Sequence, residues 1–147
     1  MKLSTKTKYG TRALVELALA EQSEAVSTRE VAEKQGISFK YLEQIMASLR
    51  AAGLVNSQRG QHGGYSLARR PENIKLVEIY EVLEGSTAPV ECVDNPGSCP
   101  LEGVCAPRDT WAEMGHSIRQ VLENTTLRDL TDRYKRKNKE NPPMYQI

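Results

Sequence analysis

All three cysteines of the chain, Cys92, Cys99 and Cys105, fall inside the stretch ECVDNPGSCPLEGVCAPRD between Glu91 and Asp109. Thiols grouped in this way can bind a metal, pair as disulfides or act as nucleophiles, and their surroundings weigh these roles. An odd count in a reducing compartment speaks against a disulfide scaffold. A nucleophile needs a base and an orienting group. The chain has two histidines, His62 and His116, and neither stands in a recognisable triad, so no enzyme activity is expected. Structural zinc favours closely spaced Cys-x2-Cys pairs and four ligands, and the pattern Cys-x6-Cys-x5-Cys offers neither. Iron-sulfur clusters take thiolates from wider spacings and accept a non-cysteine ligand on one iron. Pro96, Gly97, Pro100 and Gly103 make the segment pliable enough to fold around something larger than one ion. The order of preference is therefore a cluster, then zinc, then three idle thiols.

Such a loop needs elements to position it. A chain of 147 residues suits one domain with an appended arm, and it can bury a core without disulfide staples. The N-terminal MKLSTKTKYG does not read as a signal peptide, and no apolar stretch approaches the length of a membrane span, so a cytoplasmic protein is expected. The net charge of +1 is unevenly spread. Residues 1–70 hold 11 Lys and Arg against 6 Asp and Glu, residues 71–132 hold 4 against 12, and residues 133–147 hold 5 against 1. A basic front half beside an acidic middle points to a polyanion partner at one end only.

Apolar residues at helical spacing predict a first helix over Lys8 to Glu21. Ser27 and Glu30 form an S-x-x-E start signal for a second, which stops at Gly36. Ser38 caps a third, in which Leu42, Ile45, Met46 and Leu49 make one stripe and Gly53 suits the left-handed terminal position. Two helices joined by QGIS read as a helix-turn-helix. Two strand-like runs follow, Leu54 to Arg59 and Tyr65 to Leu67, joined by a loop with three glycines. A hairpin directly after the third helix is the order of a winged helix, with Arg59, Arg69 and Arg70 as basic wing residues. A fourth helix carries Leu76, Ile79, Tyr80 and Leu83 and ends at Gly85.

Beyond the cysteine loop, Trp111, Met114, Ile118, Val121 and Leu122 recur at three and four residues, the pattern of a seam. About 17 residues would give a helix of roughly 25 Å, long for so small a protein and suited to packing against its copy. The expected organisation is a winged helix-turn-helix domain over 1–85, a cluster-binding loop over 86–106, a dimerisation helix with a short following helix over 107–137, and a flexible tail over 138–147. The fold class is mainly α with a small β-hairpin wing.

A homodimer would present two reading helices to the successive major grooves of a palindromic double-stranded operator. Gln44 is the candidate for adenine and Glu43 for the cytosine amino group, while Ser38, Lys40 and Tyr41 are placed at phosphates or base edges. Arg59 is assigned to the minor groove. His62 belongs to the polar wing tip, because a lone histidine between glycines has no partner ligand nearby.

The segments MKLSTKTKYGTRALVELA, ISFKYLEQIMASLRAAGLVNSQRGQHGGYSLAR and EIYEVLEG, followed by the three-cysteine loop, resemble the Rrf-two family of winged-helix regulators. The likeness spans nearly the whole chain, is most specific from Ile37 to Arg69, and points to the iron-sulfur branch of IscR, NsrR and RirA types, above all the IscR type. The resemblance implies a homodimeric repressor or dual regulator whose DNA affinity depends on a cluster held by Cys92, Cys99 and Cys105. It implies 2Fe-2S ahead of 4Fe-4S, with iron supply, redox stress or nitric oxide as the signal. The sequence departs from the family at the fourth ligand. Arg108 stands where the IscR type has histidine, and Lys8 stands where the NsrR type has the partner's aspartate. Glu102, Asp109, His116, Arg108 and a group from the partner subunit remain as alternatives. The first gap between cysteines is also one residue longer than the common five. The rival function within the same fold is a cluster-free regulator that answers to a metabolic enzyme, thiol oxidation or zinc.

Overall fold

The structure, a computed structural model, describes residues 2–20 and 24–142. Helix α1 (Thr5–Leu19) starts at Ser4, whose hydroxyl accepts the Thr7 N–H at 3.2 Å. It starts earlier than its apolar spacing predicts because the cap, not the first apolar residue, sets the boundary. Ser27 caps α2 (Thr28–Gln35), and Gly36 closes it at φ 66°, in the left-handed region. Only the serine half of the expected capping box is made, since Glu30 gives no return bond among the described residues. Helix α3 (Phe39–Ala51) follows α2 after three residues and buries Leu42, Ile45, Met46 and Leu49, the predicted stripe.

Strands β1 (Val55–Gln58) and β2 (Gly64–Leu67) pair antiparallel, with Val55 opposite Leu67 and Gln58 opposite Gly64. A further bridge joins Val26 to Tyr65, with N–H to carbonyl bonds of 2.8 and 3.0 Å, and ties the wing to the approach of α2. Gly64 makes this possible. Its φ is 148°, and a Cβ there would lie 2.0 Å from the Val26 carbonyl oxygen.

After a 3-10 turn at Pro71–Asn73 comes α4 (Leu76–Leu83), then a single turn, α5 (Glu91–Asp94), and a second 3-10 turn at Glu102–Val104. Helices α6 (Arg108–Glu123) and α7 (Leu127–Glu140) complete the chain. The helix expected to be short has 14 residues against 16 for α6, and it extends through residues 138–140 of the expected flexible tail. Thr126 and Asp129 form a reciprocal capping box at its start. The remainder of that tail, from residue 143, lies outside the described residues, as does Glu21.

The core joins α1, α2, α3, the wing and α4 around Leu14, Leu42, Ile45, Leu49, Leu54, Ile74 and Ile79, each at most 2% exposed. Leu127 belongs to the same core. Its N–H donates to Ile74 O and the Leu76 N–H to Thr125 O, both at 2.8 Å, so the α6–α7 corner is stitched to the start of α4. From there α7 runs back along α1. No helix among the described residues is long and apolar enough to cross a membrane.

Candidate nucleic-acid interface and cysteine loop

The first turn of α3 is fixed by Ser38, whose hydroxyl accepts the Tyr41 N–H at 3.0 Å. Lys40 and Gln44 are exposed on that helix, and Arg59 and His62 are exposed on the hairpin turn. Tyr41 and Glu43 are half-buried and held by neighbours. The Tyr41 hydroxyl lies 3.2 Å from Thr5 Oγ1, and its ring meets Tyr9 edge-on at a centroid distance of 6.4 Å. Glu43 Oε2 accepts the Tyr65 hydroxyl at 3.5 Å. Burial first, and the charge of Glu43 second, push the Tyr65 phenol above its usual value, so it stays a donor at neutral pH. Glu43 thus links the helix to the wing, in addition to any role toward a base.

Between helix and wing runs a groove lined by Arg29, Phe39, Glu43, Arg50, Arg59 and Tyr65. The Arg29 guanidinium sits over the Phe39 ring, 5.0 Å from its centroid. Three guanidinium groups against a single carboxylate suit a phosphate backbone. The sequence reading missed Arg29, Phe39 and Arg50, because helical spacing places them on ordinary solvent faces. For Arg29 and Phe39 the available signal was the helix-turn-helix pattern itself, which brings the first turns of two helices to one side, whereas Arg50, in the last turn of α3, had none.

Arg69 and Arg70 do not join this face as the sequence suggested. Arg69 donates to Asn73 O at 3.0 Å and to Glu78 Oε1 at 2.8 Å, which clamps the base of the wing to α4. Burial alone would raise the Glu78 carboxyl, but the bonds from Arg69 and the Lys75 N–H outweigh it and hold the group below the usual range. Arg70 lies 3.9 Å from Glu72.

In the cysteine loop, Cys92 lies on α5, Cys99 precedes the second 3-10 turn and Cys105 closes it. All three are free, half-buried thiols. Among the described residues no three His, Cys, Asp or Glu side chains converge on one point, so the thiols share a segment without being gathered. Arg108 organises that segment. Its guanidinium donates to Cys92 O at 2.9 Å and pairs with Glu102 Oε1 at 2.9 Å, while Glu102 Oε2 accepts the Gly97 N–H at 2.5 Å. Both members of this ion pair follow Cys99, and their bonds to Cys92 O and the Gly97 N–H tie them to the segment before it. The Arg108 Nε is buried without a partner. Of the alternatives for a fourth ligand, Glu102 and Arg108 are engaged with each other, whereas Asp109 and His116 are exposed. The donor chemistry, soft sulfur in a pliable and partly desolvated loop, fits an iron-sulfur centre or zinc once the sulfurs are drawn together.

Helix α6 touches its own domain sparingly. Gly115 is its one buried residue, and a Cβ there would meet Ala88, Pro89 and Thr87 at 3.3 Å. Trp111, Met114 and Val121 of the predicted seam are 36, 42 and 65% exposed, and Ile118 and Leu122 are half-buried. Among the described residues nothing covers Trp111, Met114 and Val121.

Comparison with known proteins gives a consistent picture. The family model described as "Rrf2: Iron-dependent Transcriptional regulator" matches residues 3–133. "Protein rrf2" of Nitratidesulfovibrio vulgaris (Hildenborough) is 42% identical over 130 residues, covering 88% of this chain and 87% of that protein. Among solved structures, the T. potens IscR superposes with a TM-score of 0.74 at 37% identity, covering 100% of this chain and 94% of the other. The global cysteine regulator CymR of B. subtilis gives a TM-score of 0.74 at 36% identity, covering 90% and 98%.

Proposed function

Because the chain belongs to the Rrf2 family of transcriptional regulators, and so binds DNA and is not an enzyme, we propose that it is a homodimeric regulator whose operator affinity depends on an iron-sulfur cluster held by Cys92, Cys99 and Cys105. The observation that carries this reading is the confinement of three free, half-buried thiols to the segment between α4 and α6, in a family described as iron-dependent. When bound, the cluster supplies iron-thiolate bonds whose stability changes with iron supply, oxidant or nitric oxide. We favour 2Fe-2S over 4Fe-4S on the likeness to the IscR type.

The protein's own part follows from position. The loop connects α4, which closes the winged domain, to α6, whose exposed Trp111, Met114 and Val121 suit a second copy. Gathering Cys92, Cys99 and Cys105 around a cofactor would reset the path of the loop, and with it the angle between the two copies of α3. Operator affinity shifts only as far as the cofactor favours one arrangement over the other. Lys40 and Gln44 then meet base edges of a palindromic site, with Ser38, Tyr41 and Glu43 holding the helix in register. Arg59 and His62 follow the adjacent minor groove.

A second reading is favoured by the Arg108–Glu102 pair, which closes the loop without a metal. On it, the chain is a cluster-free regulator that answers to thiol oxidation, zinc or a metabolic enzyme.

Anaerobic purification separates the two. Brown protein with visible absorbance, acid-labile sulfide and iron supports the first, and Cys99→Ala should lose colour and weaken binding to a duplex selected by the native protein. Colourless anaerobic protein carrying zinc or no metal, or a Cys99→Ala form with unchanged affinity, removes it.

A further inference from the structure

Glu84 lies far from both the groove and the cysteines in role, yet its carboxylate collects more protein donors than any other in the described residues. It is the residue that ends α4, one position before Gly85 opens the chain toward the cysteine loop. Across 80 residues of sequence its oxygens accept the Ser4 N–H at 3.1 and 3.3 Å and the Ser4 hydroxyl at 2.7 Å. They also accept the Thr7 hydroxyl. Ser4 is the cap of α1, so the charge sits at the positive end of a 15-residue helix.

The next contacts lead to the reading helix. Thr5, beside Ser4, meets the Tyr41 hydroxyl of α3, and Tyr9, one turn on, meets the Tyr41 ring. Between them α1 is pinched without slack: a Cβ on Gly10 would lie 2.4 Å from Leu83 Cδ1 of α4 and 3.0 Å from Ile45 Cγ2 of α3. The end of α4, the first turn of α1 and the first turns of α3 thus form one tightly packed junction. A close-packed junction of this kind transmits displacement instead of absorbing it.

We propose that Glu84 is a positioning residue for operator binding, holding the N-terminus of α1 so that Thr5 and Tyr9 fix Tyr41 and with it the pose of α3. The inference rests on the reading of α3 as the helix that meets bases, and it adds the route by which the segment carrying the cysteines reaches that helix. It differs from a simple capping role, which would affect folding but not the discrimination between DNA sequences.

The test uses the full chain and two probes, a duplex selected from a random pool by the native protein and an unselected duplex of equal length. Glu84→Gln keeps the shape and removes the charge. It should weaken binding to the selected duplex about tenfold, the scale of a typical coupling between sites, and leave the unselected duplex unchanged. Combined with Tyr41→Phe the losses should fall short of multiplying, whereas combined with Arg59→Ala they should multiply in full. Thr5→Val, which severs only an exposed hydroxyl contact, should reproduce part of the loss if Glu84→Gln folds poorly. Equal weakening on both duplexes, no weakening on either, or full multiplication with Tyr41→Phe overturns the proposal. If Lys40→Ala and Gln44→Ala bind the selected duplex like the native protein, the reading of α3 itself fails, and the role of Glu84 falls with it.

Discussion

In the winged portion, side chains from four helices and both strands converge on one core, and the wing is tied at Val26, Glu43 and Glu78 to three different elements. From residue 88 to residue 123 only Gly115 is buried, and the loop holds itself through short turns and one ion pair. The first region fixes its geometry from within. The second has too little apolar burial to do so, and regions of that kind open at low free-energy cost. Such a division places a rigid DNA-reading unit beside a segment whose arrangement the chain itself fixes less firmly, which is what the proposed cofactor and second copy require.

Matched glycines in the two regions give the largest expected contrast. Gly64 has a φ of 148° and would place a Cβ 2.0 Å from backbone, while Gly97 has a φ of 89° with nothing within 4 Å. Gly64→Ala should destabilise the fold by about 3 kcal/mol, from strain plus loss of the Val26 bridge. Gly97→Ala carries only the left-handed penalty, about 1 kcal/mol, and that confined to a loop. Urea titration followed by circular dichroism measures both. Equal losses at the two sites would mean that the loop is as firmly built as the wing.

Helix α6 sharpens the comparison from the other side. Met114 lies mid-helix on the uncovered stripe and is 42% exposed. Met114→Lys should therefore leave monomer stability nearly unchanged. A charge at the centre of the proposed two-fold contact should weaken self-association by about 30-fold, the scale of a hot-spot loss. Sedimentation across a concentration series reads the association, and a weight unaffected by the substitution would assign the stripe another occupant.

These contrasts also explain what was legible in the sequence. The stripe of Leu42, Ile45, Met46 and Leu49 is local, repeats at helical period and is buried as predicted. Ser38 and Gly36 act through bonds within four residues, and both stand where the pattern puts them. Trp111, Met114 and Val121 recur at helical period as predicted and stay exposed among the described residues. The misses are long-range or lack an apolar signal. Nothing near Glu84 announces a partner 80 residues away. Helix α7 was expected only as a short helix: Leu127, Leu130 and Tyr134 recur at helical spacing, but the last six residues, KRKNKE, hold no apolar side chain, so periodicity gives no sign of its full length. Arg108 was visible as a residue standing where a ligand would, but its engagement with Cys92 O and Glu102 depends on the path of the loop.

The smallest expected effect tests whether that path is held locally. Arg108 and Glu102 are 23 and 21% exposed, so their ion pair is partly screened and contributes little to the stability of the whole. Arg108→Ala removes the pair and the bond to Cys92 O, but it also removes the buried Nε that has no acceptor, which offsets part of the loss. Global stability should fall by less than about 1 kcal/mol. The Gly97 amide depends on Glu102, and Glu102 depends on Arg108 for its orientation, so exchange of that amide should quicken while amides in α3 keep their protection. Hydrogen exchange read by mass spectrometry on cluster-free protein distinguishes the two regions in one experiment. Protection lost in α3 as well would show that the loop and the winged core open as a single unit, and the contrast between them would no longer hold.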